Sequence, residues 1–290
     1  MAFRLLSTLF LLWLTIQVQS QFEDYLAYFF ILTIGIMHGA NDISIIGLIT
    51  SNLNKSKLYF LLYYVGVIVC TALVFFQLPF LALLLFVAFS CYHFGEQHFK
   101  KHLSESSVFD ALLYIGYGNL IFGLLFYFNK ADTASIIFEL TGKFISPSYF
   151  FYFLIQGIAL TLLGVFMNRK NFNPEINVFQ EVILILLFSI LFYMASLLWA
   201  FSIYFILWHS LPSLKDQMVS LYGDVNGKSL RKYIKSSMIY WIISLQGLFL
   251  FFYVSQYIGV RFITLFFAFL AAITIPHVIV MYYLNKKRMS

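Results

Sequence analysis

The sequence predicts an all-α, polytopic bundle of transmembrane helices, and three observations support this prediction. Apolar residues make up 62% of the 290 residues and charged residues only 10%, whereas a soluble protein has roughly 25% charged residues. The mean hydropathy is +0.88. Apolar runs of about 20 residues, long enough to cross a bilayer as a helix, recur along the chain. Together these features exclude a soluble enzyme, a β-barrel and a nucleic-acid-binding protein.

The first twenty residues have the organisation of a signal peptide. Arg4 gives a basic start, a long apolar stretch follows, and small or polar residues end at Ser20. A signal-anchor helix has the same organisation, so both interpretations stay open for residues 1–20. Residues 21–290 are predicted to form a single transmembrane helical domain, because no soluble domain fits between the apolar runs.

Hydropathy over windows of about 19 residues predicts nine spans. They lie near residues 24–50, 57–76, 79–99, 108–128, 148–167, 179–195, 199–220, 234–256 and 261–284. The link between the sixth and seventh spans is short. The predicted fold is therefore about nine spans plus an N-terminal leader or anchor helix.

The distribution of basic residues gives an independent test of this topology. Fourteen of the eighteen Lys and Arg residues fall on one side of the nine spans. Only Lys130, Lys143 and Arg261 fall on the other side, and Arg4 lies in the leader. Basic residues accumulate in cytoplasmic loops. We therefore expect a multi-pass protein of the cell membrane with a cytoplasmic C-terminus, and orientation in the bilayer explains the net charge of +6.

Four of the six histidines lie inside predicted spans, where ionisable residues are costly and usually functional. These four are His38, His93, His209 and His277. Their spans, the first, third, seventh and ninth, all run in the same direction. At about 1.5 Å rise per residue, the last three lie roughly 9–14 Å before the next cytoplasmic lysines, and His38 lies nearer the midplane. We therefore expect the four imidazoles to lie at similar depth.

Carboxylates and prolines accompany these histidines. Asp42 follows His38 within His-Gly-Ala-Asn-Asp, and Glu96 follows His93 within His-Phe-Gly-Glu. Pro212 lies three residues after His209, and Pro276 directly precedes His277. Proline bends a helix, which can turn a side chain toward a shared cavity.

Two interpretations of the histidines are open. A single intramembrane histidine is often an interhelical hydrogen-bonding residue. Four at similar depth favour a transition-metal site, because imidazole is the commonest protein ligand for such metals and a ligating histidine usually donates its second N–H to a carboxylate. Asp42 and Glu96 are the candidates for that supporting role. Zinc, copper and iron all accept imidazole. His98 and His102, beside two lysines, are predicted to be ordinary interfacial residues.

Four motifs resemble those of a known enzyme family. They are His38-Gly-Ala-Asn-Asp42, His93-Phe-Gly-Glu96, Trp208-His209-Ser210 and Pro276-His277. The chain, from about residue 24 to residue 284, resembles the Brp/Blh family of bacterial and archaeal membrane β-carotene 15,15′-dioxygenases, which accompany microbial rhodopsins. The resemblance implies an all-helical membrane enzyme that uses Fe(2+) and O2 to split β-carotene into two molecules of retinal.

The resemblance also implies the ligands. His38, His93 and His209 match family positions that would hold iron. The family has a further histidine four residues after His209, where this chain has Ser213. His277 is the best replacement by depth and motif, with His98 less favoured. The difference also opens the alternatives of an altered substrate or a lost activity.

Other functions use the same residue types. A proton- or metal-coupled transporter would use the histidines and acids as a relay, and an inverted repeat would favour it. A di-haem or quinone-linked electron carrier would use bis-histidine ligation, and a haem absorption band would identify it. A membrane di-iron hydroxylase or desaturase is disfavoured, because members of that class look like proteins with clusters of eight or more histidines at cytoplasmic spacing, whereas this chain has six histidines in all.

Overall fold

The computed structural model describes residues 1–50, 57–174 and 176–289 of the chain. The described part is 86% helical and contains no strand, which confirms the predicted all-α class. Its α-helices, in chain order, are α1 Ala2–Gln17, α2 Ser20–Phe30, α3 Asp42–Thr50, α4 Lys57–Gln77, α5 Pro79–Phe99, α6 Asp110–Phe128, α7 Lys130–Thr141, α8 Ser148–Met167, α9 Val178–Met194, α10 Leu197–Tyr204, α11 Leu211–Tyr222, α12 Gly227–Ile258 and α13 Phe262–Met289.

Seven of the described helices are long and apolar enough to cross a membrane. They are Leu58–Gln77, Pro79–His102, Asp110–Phe128, Ser148–Asn168, Leu197–Tyr222, Gly227–Tyr257 and Phe262–Lys287. Each corresponds to one of the nine predicted spans. The sixth predicted span is present as α9, a shorter apolar helix of 17 residues. The nine predicted spans do not include α7, which follows α6 after a single residue.

The prediction of one continuous helix over residues 24–50 is wrong. Helix α2 passes into a π-helical turn at Ile31–Gly35, and residues 38–41 form a turn before α3 begins. Gly39 in this turn costs helix stability, and the Asn41 side chain donates to the backbone oxygen of Tyr233 (3.1 Å) rather than facing lipid. The break therefore brings polar backbone and side-chain groups to the segment that contains His38.

The chain divides into two compact units that alternate along the sequence. Unit 1 comprises residues 1–31, 88–138 and 142–212, and unit 2 comprises residues 32–87, 139–141 and 213–290. His93 and His209 belong to unit 1, whereas His38 and His277 belong to unit 2.

Glycines allow very close helix packing in unit 1. A Cβ built on Gly118 of α6 would lie 2.0 Å from the backbone oxygen of Cys91 in α5, and one on Gly116 would lie 2.6 Å from the backbone nitrogen of Thr161 in α8. Small residues let transmembrane backbones approach in this way. Buried aromatic residues, including Phe188 and Trp199, fill the remaining space. This packing fixes the helix that carries His93.

Helix α1 contacts two indoles of unit 1. Trp208 Nε1 donates to Thr8 Oγ1 and Trp199 Nε1 donates to Thr15 Oγ1, each at 3.0 Å. A buried indole N–H usually finds an acceptor, since leaving one unpaired costs free energy. The N-terminal helix therefore satisfies both donors. Whether residues 1–20 act as a leader stays a prediction.

In unit 2, helices α3, α4 and α13 pack around an aliphatic cluster. Ile45 of α3 and Met281 and Leu284 of α13 are almost fully buried, and Tyr64 of α4 packs against them. Because Asp42 begins α3 and His277 lies in α13, this packing brings two of the predicted site residues to facing positions.

Candidate metal centre

The structure brings the four predicted histidines together as two pairs, one in each unit. In unit 2 the ring centroids of His38 and His277 are 4.8 Å apart, with the planes nearly perpendicular at 87°. In unit 1 the centroids of His93 and His209 are 4.7 Å apart, with the planes at 74°. All four residues are buried. Residues far apart in sequence thus form two similar pairs.

The His38 ring is held by the backbone just before it. Its Nδ1 donates to the backbone oxygen of Gly35, the last residue of the π-helical turn. A π-helical turn widens the helix and changes which carbonyl oxygens are free to accept hydrogen bonds. With Nδ1 as the donor, Nε2 of a neutral His38 carries the lone pair.

The backbone oxygen of His38 is also held by hydrogen bonds. It accepts hydrogen bonds from Gln217 Nε2 (2.8 Å) and from the Tyr233 hydroxyl (3.1 Å). The same hydroxyl lies 2.8 Å from Gln217 Oε1, and Ser236 donates to Asn41 Oδ1 at 2.7 Å. Satisfied buried networks of this kind specify one arrangement of the groups they contain.

His277 is oriented by Asp42. Its Nδ1 donates to Asp42 Oδ1 at 2.7 Å, and both side chains are buried. The other carboxylate oxygen, Oδ2, accepts from the Tyr64 hydroxyl at 2.9 Å. Donation from Nδ1 gives a neutral His277 its lone pair on Nε2. A hydrogen-bonded carboxylate on the far nitrogen is the usual support of a metal-binding histidine.

The unit 1 pair lies among aromatic rings. The His209 ring has its centroid 4.5 Å from that of Phe94 and stacks on Phe205, with 16° between the planes. His209 itself lies in a π-helical turn, Phe205–Ser210. π-helical turns occur often at functional sites. Here the turn and the flanking rings together fix the direction of the imidazole.

Glu96 of unit 1 forms an ion pair with a lysine. Its Oε1 accepts from Lys100 Nζ at 3.3 Å, one helical turn further along. Its second oxygen, Oε2, is buried without a hydrogen-bond partner among the described residues. The predicted role of Glu96 in orienting a histidine therefore stays a prediction.

His98 has its own acidic partner. Its Nε2 lies 2.7 Å from Glu181 Oε2, and its ring stacks on Tyr117 with centroids 4.5 Å apart. These contacts give His98 a structural role within unit 1. Because its Nε2 is engaged by a carboxylate, His98 is a weaker candidate ligand than His277.

Ser213 occupies a filled position in unit 2. It is fully buried, and its Oγ accepts from Gln217 Nε2 at 3.2 Å. Gln217 in turn holds the backbone oxygen of His38. A serine here therefore supports the His38 segment through Gln217.

The donor chemistry of the pairs fits iron, which accepts imidazole nitrogen. His38 and His277 each have Nδ1 engaged as a donor, which is the tautomer that presents Nε2 to a metal. The described residues contain no group of three or more His, Cys, Asp or Glu side chains arranged to hold a metal ion. The agreement with an iron site therefore rests on the imidazole nitrogen as ligand atom and on the orientation of the His38 and His277 rings.

Sequence reasoning missed Tyr64, Gln217 and Tyr233. None lies beside a histidine in the sequence, and Tyr64 and Tyr233 are two of 20 tyrosines. Only Gln217, a buried amide one turn after Ser213, carries a signal, since it is an uncommon polar residue in an apolar span.

Comparison with known proteins agrees with these observations. The model of a family described as beta-carotene 15,15'-dioxygenase matches residues 29–285, a range that contains both histidine pairs. No curated protein and no solved structure matches the chain. Because the family model covers far more than half of the sequence, the chain belongs to the β-carotene 15,15′-dioxygenase family.

Proposed function

We propose that this membrane protein cleaves β-carotene at its central 15,15′ double bond with O2 and releases two molecules of retinal. The observation that carries the proposal is the pairing of the four motif histidines as buried imidazoles in a chain of this family. The reaction balances without a further reductant. The carbon–carbon double bond and the O–O bond break, and each carbon of the double bond receives one oxygen atom.

We further propose that the enzyme uses Fe(2+), with His38, His93, His209 and His277 as its ligands. Bound ferrous iron supplies the electrons that ground-state O2 needs to react with a carbon–carbon double bond. Imidazole donors on buried, apolar segments support this choice. His277 takes the place of the additional family histidine, because Ser213 has no imidazole.

The surrounding residues orient the ligands and exclude water. Asp42 and the Gly35 carbonyl fix the rings of His277 and His38 through Nδ1. Phe94 and Phe205 enclose the His209 ring. Ordered imidazoles in a dry environment keep a metal site in one geometry. The chain itself supplies no nucleophile to the proposed reaction.

The bilayer is the source of the substrate in this proposal. β-Carotene dissolves in lipid, and the apolar helices favour a membrane enzyme that takes it up laterally. The retinal produced would serve a microbial rhodopsin. The basic residues favour an orientation with the C-terminus in the cytoplasm.

Conversion of carotenoid tests the function. Purified protein loaded with Fe(2+) should leave β-carotene intact without O2, and admission of O2 should yield two retinals per carotene consumed, measured by chromatography. Unequal apocarotenals would contradict central cleavage but not carotenoid oxygenation. No conversion at full iron loading would contradict the function, and recovery of activity in Ser213→His would trace the loss to the missing family histidine.

Iron content tests the ligands. Replacement of His38, His93 or His209 by Ala should abolish iron binding and activity while the protein remains in the membrane, and His102→Ala is the control that should change little. Full iron content in His277→Ala would remove His277 from the ligand set. A haem absorption band in the purified protein would instead favour an electron carrier.

Reporter fusions test the orientation. Fusions after Lys100, Lys170, Lys235 and Ser290 should report the cytoplasm, and fusions after Lys143 or Arg261 the opposite side. A reporter at Ser290 on the opposite side would contradict both the topology and the shared depth of the histidines.

A further inference from the structure

Unit 2 contains an apolar cleft of about 350 Å³ whose walls come from α3, α4 and α13. This volume lies near the lower limit of small-molecule sites, about 300–1,000 Å³. Aromatic rings of α4, namely Tyr59, Tyr63 and Tyr64, line one wall, and Ile279 of α13 lines another. The lining thus combines flat rings with aliphatic side chains and offers no charged group among its described residues.

Two residues that line the cleft, Tyr64 and Pro276, also adjoin the surroundings of His277. Tyr64 lines the cleft, and the hydroxyl of the same residue donates to Asp42, which accepts from His277. Pro276, the residue before His277, also lines it. A molecule in the cleft would therefore contact Tyr64, which donates to the carboxylate that orients His277, and Pro276, which precedes His277.

The cleft also reaches the surface of α4. Tyr59 and Tyr63 are more than half exposed, and most of α4 is exposed apolar surface of a predicted span. In a membrane protein such a surface faces lipid. A ligand of this cleft can therefore enter from the hydrocarbon phase.

We propose that this cleft binds one arm of the carotenoid substrate, a rigid conjugated isoprenoid hydrocarbon with a cyclic end. The inference rests on the proposed function. Flat tyrosine rings suit a flat polyene, apolar walls suit a hydrocarbon without polar groups, and the volume suits one arm rather than the whole molecule. A flexible acyl chain of a phospholipid shares the apolar chemistry but would gain less from rigid aromatic walls.

Two substitutions separate the cleft from the rest of α4. Val67 lines the cleft, whereas Val69 on the same helix is an exposed residue outside its lining. Val67→Phe fills the cleft, and Val69→Phe is the matched control. Ile279→Phe fills the cleft from α13 and serves as a second test if one variant fails to fold.

Binding is measured without O2, so that β-carotene remains intact, by quenching of the intrinsic tryptophan fluorescence of the full-length protein in detergent. We expect Val67→Phe and Ile279→Phe to raise the apparent Kd for β-carotene about tenfold, and Val69→Phe to leave it within about twofold. Wild-type Kd values in both cleft variants, each folded by size-exclusion chromatography, would overturn the inference. Loss of co-purified phospholipid from the cleft variants without a change in the Kd for β-carotene would also overturn it, because the cleft would then bind lipid.

Turnover with O2 separates this inference from the proposed function. If the Kd values follow the expected pattern but the iron-loaded wild type forms no retinal, the cleft binds carotenoid and the proposed reaction fails. If the wild type forms retinal and both cleft variants keep its KM, the reaction stands and the cleft assignment fails. The expected result is a raised KM in the cleft variants alone.

Discussion

The two histidine pairs have similar separations, 4.8 and 4.7 Å between ring centroids, but are held by different forces. In unit 2 a carboxylate, a backbone carbonyl and a network of amide and hydroxyl groups fix His38 and His277. In unit 1 stacked phenyl rings and close helix packing surround His209 and His93. Polar contacts determine the tautomer of an imidazole, whereas aromatic packing determines its position. Removing a hydrogen bond should therefore weaken metal binding by the unit 2 pair. Adding side-chain volume should instead destabilise the packing around the unit 1 pair.

The largest effect is expected from Gly118→Ala in unit 1. The new Cβ would lie 2.0 Å from the Cys91 backbone, two residues before His93, and this backbone cannot move without shifting α5. We expect a loss of about 3 kcal/mol or more in the free energy of unfolding, measured as the yield of monodisperse protein and its thermal transition.

The control for this prediction is Gly66→Ala in α4. No described atom lies within 4 Å of a Cβ at Gly66, apart from its own neighbours and helix backbone. The substitution should be neutral or stabilise by up to about 1 kcal/mol. Equal stability of the two variants would contradict the close packing of α5 and α6.

Asp42→Ala should have the next largest effect, on iron rather than on folding. Without the carboxylate, His277 loses the acceptor that fixes its tautomer. Loss of such a supporting group typically costs about 10–100-fold in metal affinity. Iron affinity measured by chelator competition checks this, with the exposed acid Glu105→Ala as the control. Unchanged affinity in Asp42→Ala would show that His277 does not depend on this carboxylate.

A smaller effect is expected from Tyr64→Phe. The variant removes one hydrogen bond to Asp42 and keeps the ring that lines the cleft. A hydrogen bond to a charged group contributes about 1.5–3 kcal/mol, part of which remains because Asp42 still accepts from His277. We expect kcat to fall about three- to tenfold while the anaerobic Kd for β-carotene stays unchanged. Tyr282→Phe, at an exposed residue of α13 outside the cleft lining, should retain kcat; an equal fall in both variants would contradict the role of the Tyr64 hydroxyl.

The smallest effect is expected from Glu96→Gln in unit 1. Glu96 is buried and pairs with Lys100, which is partly exposed, and a glutamine keeps both the size of the side chain and an oxygen that can accept from Lys100. Iron affinity should therefore change by less than about threefold. A loss as large as that of Asp42→Ala would instead give Glu96 the histidine-orienting role that its position after His93 predicts.

The sequence predicts the helices better than their interruptions. Long apolar runs such as residues 58–77 become single helices because lipid leaves the backbone no alternative hydrogen-bond partner. Residues 24–50 also read as one run, but their break depends on contacts with Gln217 and Tyr233, which are distant in sequence. Hydropathy contains no information about such contacts.

The residues of the candidate site can be predicted from the sequence, whereas their contacts cannot. Ionisable residues are rare in apolar spans because they are costly there. This rarity identifies His38, His93, His209 and His277 in the sequence. Their pairing could not be predicted, because it depends on which helices pack together. Asp42 was found as a neighbour of His38 in sequence, yet its contact is with His277, which lies 235 residues further along.

The π-helical turns at Ile31–Gly35 and Phe205–Ser210 change which side of the helix the following residues face. An α-helix advances about 100° per residue, and a π-helical turn accommodates an additional residue. Residues after the turn are therefore rotated by about 100° relative to an uninterrupted helix. A helical wheel drawn continuously through residues 197–222 is out of phase beyond Ser210, so Ser213 and Gln217 would be assigned to the wrong face.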